Sequence, residues 1–147
     1  MTSGRVTVSS VGSILLVESD PDTRDRLGSA LRDAKHEVLI AMSMSEAFLR
    51  LGEGGIDLVV IDSYDPRVGV VELVRHMNTL PDTPPVVLVS GSPFAPEISA
   101  RIGAAAFVPK PCEPGELAGV VDQLLGRLQP VRTFDDEPTG PARQFGT

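Results

Sequence analysis

The sequence predicts a doubly wound α/β fold: a five-stranded parallel sheet in the order 2-1-3-4-5 with helices on both faces. Three observations predict it. Short all-apolar runs recur, among them Ile14-Leu15-Leu16-Val17, Leu58-Val59-Val60-Ile61 and Val86-Val87-Leu88-Val89. Such runs between turn formers read as strands buried on both faces. The segments between them carry apolar residues at helical spacing, and alternating β and α predicts a parallel sheet under helices. Right-handed crossovers leave few topologies. The order 2-1-3-4-5 sets strands one and three side by side, with their carboxyl ends at a switch point.

Each element has a local reason. Residues 1–12, rich in Ser, Thr and Gly, read as a disordered arm, and the folded part is expected from Ser13. The first helix should run from about Pro21 to Ala34, with Asp20 as N-cap, Pro21 at the first position and Asp22 at the positive end. Its stripe is Leu27, Ala30, Leu31 and Ala34. Val38-Leu39-Ile40 is the second strand. Ser43 and Glu46 form a capping box for a helix striped by Met44, Ala47, Phe48 and Leu51, and Glu53-Gly54-Gly55 stops it. A third helix is expected from about Val70 to Leu80, broken by Pro81-Asp82-Thr83-Pro84-Pro85. A short helix near Pro96–Ile102 and a brief strand at Ala106-Phe107-Val108 follow. The last helix starts at Pro114 with stripe Leu117, Val120, Val121, Leu124, Leu125 and Leu128. Residues 129–147 lose this periodicity, gain Pro, Gly and acids, and read as a disordered tail.

Composition narrows the function. The 147 residues fit one domain plus tails, and 41% hydrophobic content supports a core that is mainly aliphatic, because aromatics are only 4%. A net charge of −7 argues against a nucleic-acid surface as the main role. Cys112 is the single cysteine, which excludes an internal disulfide and fits a reducing cytosol. No apolar stretch approaches the roughly 20 residues of a membrane span, and the opening segment is too interrupted by Ser and Gly for a signal peptide. No G-x-G-x-x-G follows the first strand, which disfavours a dinucleotide enzyme.

The strand ends carry the chemistry. Asp62 closes the third strand, Glu18-Ser19-Asp20 follow the first, Ser90 closes the fourth and Lys110 follows the fifth. Carboxyl ends of parallel strands form the mouth where such sheets bind ligands. Acids, a hydroxyl and an amine gathered there suit a phosphoryl group and a divalent cation. Blander readings exist for each residue: Asp62 as a turn former, Ser90 as a plain strand end, Lys110 as a solvated lysine, Asp20 as a cap only. His36 and His76 stand in polar surroundings far in sequence from the acids and are assigned no chemistry.

In these residues the chain resembles a response-regulator receiver domain, the phospho-acceptor module of two-component signalling, with a flavodoxin-like fold. The resemblance covers residues 13–128. Its landmarks are Val17-Glu18-Ser19-Asp20-Pro21, Asp62 with Pro66 four residues on, Ser90-Gly91, the Phe107 of Gly103-Ala104-Ala105-Ala106-Phe107, and Lys110-Pro111. The resemblance implies that Asp62 takes a phosphoryl group from a histidine kinase or phosphotransfer protein. Ser90 and Lys110 would hold phosphoryl oxygens, and a cis Lys110-Pro111 bond is expected. Phe107 would be the switch that reports phosphorylation to the surface of the fourth helix, fifth strand and fifth helix. Mg²⁺ would be held by Glu18, Asp62, the Tyr64 carbonyl and water, with Asp20 as a weaker ligand.

Three positions depart from the family pattern. Ser19 stands where a second acid normally binds the metal. The stretch from Ser90 to Gly103 is about two residues short and carries Pro93 and Pro96, which predicts a short or displaced fourth helix. Gly69 and Val70 replace the usual Asp-Gly pair before the third helix. The resemblance therefore implies a bacterial, cytoplasmic, phosphorylated signalling protein rather than a turnover enzyme, at most with self-phosphorylation and autodephosphorylation. No DNA-binding segment follows residue 128, so output is expected through a downstream protein partner or by phosphate transfer, without direct DNA or membrane contact. The alternative is a pseudo-receiver that binds proteins independently of phosphorylation. A small phosphatase with Asp62 as nucleophile fits less well, because Asp65 is three residues on and not two.

Overall fold

A computed structural model describes residues 12–128. The arm at 1–12, apart from Gly12, and the tail at 129–147 lie outside the described residues. The chain alternates as expected: β1 (Ser13–Val17), α1 (Pro21–Asp33), β2 (Glu37–Ala41), α2 (Met44–Glu53), β3 (Leu58–Asp62), α3 (Val70–Met77), β4 (Val86–Ser90), α4 (Ala95–Ile102), β5 (Ala106–Pro109) and α5 (Pro114–Leu128). The strands are all parallel in the order β2-β1-β3-β4-β5.

Alternation along each strand divides the core in two. Leu15, Val17, Val59, Ile61 and Leu88 face α2, α3 and α4, packing on Leu51, Leu73, Met77 and Ile98. Ile14, Leu16, Val60, Val87 and Val89 face α1 and α5, packing on Leu27, Leu31, Val121 and Leu125. Every residue of β3 and β4 is buried, as expected of inner strands covered on both sides. Truncating one of these leucines to Ala typically costs about 2–5 kcal/mol, so this packing fixes where the strand ends lie.

The caps set the loops. Asp20 accepts the Thr23 N–H at 2.9 Å and Pro21 opens α1. Ser43 accepts the Glu46 N–H at 3.1 Å, while Glu46 reaches back one residue further than a capping box requires, to the Met42 N–H at 2.6 Å. α3 stops at Met77, three residues before the expected Leu80: Thr79 and Leu80 donate their N–H groups only three residues back, to the His76 and Met77 carbonyls at 3.0 Å, and the Thr79 hydroxyl also meets the His76 carbonyl at 2.7 Å. α4 is short, eight residues, with Phe94 before it. Gly69 before α3 has φ 83°, and a Cβ there would meet Met44 Cγ at 3.0 Å. Only glycine fits that turn.

Candidate functional site

The parallel register carries β1, β3, β4 and the end of β5 to one rim. Val17 pairs with Ile61, Asp62 with Val89, and Ser90 with Pro109. The residues at or just beyond those ends line a cleft of about 850 Å³, among them Glu18, Ser19, Asp20, Asp62, Tyr64 and Lys110. All the sequence-predicted site residues except Ser90 and Phe107 thus line one opening. Ser90 lies directly beneath it, fully buried, and its hydroxyl accepts the Ser92 N–H at 3.1 Å. Phe107 is half-buried on β5 against the core that holds α2, α3 and α4.

Asp62 is the centre. Its side chain is only 2% exposed, and Lys110 Nζ donates to Oδ1 at 2.6 Å. Among the described residues, its Oδ2 is buried with no hydrogen-bond partner. A buried carboxylate oxygen without a partner is costly, so this atom is suited to an incoming electrophile or cation. The Lys110–Pro111 bond is cis, as the resemblance implied. Lys110 also donates its backbone N–H to the Ser90 carbonyl at 3.1 Å, which ties the end of β5 to β4.

Glu18 is buried beside Asp62 and accepts the Asp20 N–H at 2.9 Å. Burial pushes its carboxyl from the ordinary 4.5 up to about 7; the Asp20 N–H pulls down, and the neighbouring Asp62 adds to the rise. Asp20 is exposed, and its capping bond to Thr23 holds its carboxyl below the usual range. That capping role directs it at backbone N–H groups. Tyr64, which lines the same cleft, is 97% exposed. Among the described residues no group of three or more His, Cys, Asp or Glu is arranged to hold a metal. Two buried carboxylates, one with an unpartnered oxygen, nonetheless fit a hard divalent cation that completes its shell with water.

Two contacts of Arg67 were not legible in the sequence. Arg67 donates to Asp65 from Nε at 3.0 Å and from Nη2 at 2.9 Å, and its guanidinium stacks 3.9 Å over the Phe94 ring. This joins the loop after β3 to the start of α4. The ion pair with Arg67 holds the Asp65 carboxyl below the usual range. Cys112 lies beside Lys110 in a smaller cleft that also reaches Asp62; burial raises its thiol, so it is no thiolate nucleophile. Of the two histidines, His76 packs edge-on against Phe48 with ring centroids 4.9 Å apart.

The family model for the response regulator receiver domain matches residues 14–122. The chain is 30% identical over 132 residues to the DNA-binding transcriptional regulator NtrC of Rhizobium meliloti (strain 1021), covering 87% of this chain and 27% of that protein. It is 29% identical over 134 residues to the response regulator MprA of Mycobacterium sp. (strain KMS), covering 90% of this chain and 56% of that one. The chain thus spans about a quarter and about half the length of these two relatives. Among solved structures, the signal receiver domain of a signal transduction histidine kinase from Syntrophus aciditrophicus matches with TM-score 0.70 and 27% identity, over 84% of this chain and 97% of that one. A Francisella response regulator receiver domain, 19% identical over 80% of this chain and 99% of that one, shares the fold with TM-score 0.71.

Proposed function

This chain belongs to the response regulator receiver domain family of two-component signalling, and from that premise we propose that Asp62 accepts a phosphoryl group from the phosphohistidine of a histidine kinase or phosphotransfer protein. The observation that carries this is the state of the Asp62 carboxylate: buried at the end of the central strand, held at Oδ1 by Lys110, bare at Oδ2. Lys110 orients the nucleophile before transfer and stays at hand for a phosphoryl oxygen afterwards. The Ser90 hydroxyl only accepts in its present bond, from the Ser92 N–H, so its own O–H is left to donate to another phosphoryl oxygen. Glu18 and Asp62, with the Tyr64 carbonyl, would hold Mg²⁺, and Asp20 is the weaker candidate. The bound cation would offset negative charge as the phosphoryl group arrives.

Output follows through a changed protein–protein surface, with Phe107 as the candidate reporter because it is half-buried on β5 against the core cluster that includes Ala95 and Ile98 of α4. A small acyl phosphodonor with Mg²⁺ should add one phosphoryl group to the intact mass, and Asp62→Ala should remove that gain. A mass gain that persists in Asp62→Ala refutes the assignment.

A second reading, the phosphorylation-independent binding module, is favoured by one observation. Ser19 supplies no charge and Asp20 is turned to its cap, so the rim has fewer metal ligands than the family pattern implies. Under that reading an Asp62→Ala strain behaves as wild type; a phenotype matching the full deletion excludes it.

A further inference from the structure

Exposed apolar side chains collect on one side of the Asp62 cleft. Among the described residues the large apolar side chains left exposed are Met42, Leu49, Tyr64, Val68 and Phe94. Met42, Tyr64 and Phe94 line the larger cleft, and they come from three separate loops, after β2, after β3 and before α4. Val68 stands on the same loop as Tyr64, and its N–H bonds back to the Asp65 carbonyl at 3.0 Å, which closes that loop into a turn. None of these four belongs to either core cluster. Single exposed apolar residues need no explanation, but several around one opening mark a contact surface.

The charge inside that collar is negative. Glu18, Asp20, Asp62 and Asp65 line the cleft against Lys110 and Arg67. Both cations are already committed, Lys110 to Asp62 Oδ1 at 2.6 Å and Arg67 to Asp65 at 2.9 Å. That leaves Asp62 Oδ2 buried without a partner among the described residues. A hydrated divalent cation would satisfy that oxygen but has no use for an apolar rim, because its shell is oxygen. A nucleic acid would bring phosphates to an acidic mouth. A second copy of this chain would bring another charge of −7. A lysine or arginine matches both halves, with an apolar stem and a charged tip. Arg67 shows the fit within the chain: its guanidinium lies 3.9 Å from the Phe94 ring centroid while it forks onto Asp65. We propose that this rim docks a partner protein through an apolar segment bearing one lysine or arginine, whose cation enters the cleft and meets the bare Asp62 oxygen. Val68, which does not line the cleft, is reached only by a segment longer than one side chain. The proposal needs no phosphoryl transfer and holds for either reading of Asp62.

The test selects binders to the full chain from a displayed library of random peptides, with counter-selection on the double variant Tyr64→Ser, Val68→Ser. Both side chains are exposed, so the double variant should melt with wild type. Surviving peptides should carry apolar residues around a Lys or Arg. Their affinity, in versions without Tyr or Trp, is read from Tyr64 emission, because the chain has one Tyr and no Trp. Replacing the peptide's basic residue by Gln, or Asp62 by Asn, should each weaken binding about ten-fold, and the two together little more than either alone. Met42→Ser or Phe94→Ser should weaken it about three- to ten-fold. A library that yields no binder, or binders that hold the double variant equally well, overturns the proposal. So do acidic or uncharged binders, and so do additive losses in the cycle, which would set the cation apart from Asp62. Binding of n-butylamine as tight as that of the peptide would reduce the surface to a small-cation site and overturn docking. A dimer of the chain alone in sedimentation, lost in the double variant, would give the rim to a second copy and overturn it too.

Discussion

At the amino end of the sheet His36 is buried with both ring nitrogens bonded; at the carboxyl end Asp62 is buried with one oxygen bonded and the other bare. At the amino end no buried side-chain polar atom of the described residues lacks a partner. His36 Nδ1 accepts the Gly12 N–H at 3.2 Å, so the ring proton resides on Nε2, which meets Asp122 of α5 at 2.5 Å. Asp57 accepts the Ser13 N–H at 2.7 Å, and Glu37 accepts the Ser13 hydroxyl at 2.9 Å. The carboxyl end instead holds the unpartnered Asp62 oxygen and a Glu18 carboxyl pushed up to about 7. Both ends bury polar atoms under the same kind of aliphatic core. Satisfied polarity there holds β1, β2 and α5 together; unsatisfied polarity marks where a ligand completes the site.

Substitutions at the two ends should separate chemistry from stability. The largest effect is expected for Asp62→Asn, which should abolish adduct formation while the melting temperature stays at or above that of wild type. A melting temperature well below wild type would show that Asp62 is a structural residue like His36. His36→Ala should do the reverse. It leaves a cavity and an unpaired Gly12 N–H, and should cost about 2–3 kcal/mol in denaturant titration, with adduct yield unchanged under folding conditions.

Glu18→Gln should have a smaller, pH-dependent effect. A carboxyl raised from 4.5 to about 7 binds its proton more tightly in the fold than in the unfolded chain. Its contribution to stability is therefore full below pH 4.5 and is lost as pH rises to about 7. Glu18→Gln should melt above wild type at pH 8 without Mg²⁺, and the gap should close toward pH 4.5. Added Mg²⁺ should narrow the gap by stabilising wild type alone. A gap independent of pH and Mg²⁺ would place Glu18 outside the cation site. The smallest effect is expected for Arg67→Ala, which frees an exposed ion pair and one stacking contact. Its melting temperature should barely move, while amide exchange at the start of α4 should quicken.

The sequence revealed one end of the sheet far better than the other. Apolar runs such as Leu58–Ile61 announce their own strand ends, so Glu18, Asp62, Ser90 and Lys110 could be placed on one rim from local patterns. The cap at Asp20 and the short α4 were equally local. Local sequence marks His36 only as an ordinary polar residue, because its burial depends on Asp122, 86 residues away, and on Gly12 at the edge of the arm. The stop of α3 at Met77 goes with backbone bonds that tighten to three residues at Thr79 and Leu80, which apolar periodicity does not register. The Arg67–Phe94 stack joins two loops and leaves no periodic trace.

The most direct test of the Asp62 assignment is to locate the phosphoryl group. Protein treated with N-phosphoimidazole and Mg²⁺ is reduced with borohydride, which converts an acyl phosphate to a homoserine, and then mapped by peptide mass. Homoserine at position 62 and at no other carboxylate is the predicted result. A label at Asp20 or Asp65, or none after an intact-mass gain, would contradict the assignment of Asp62 as the acceptor.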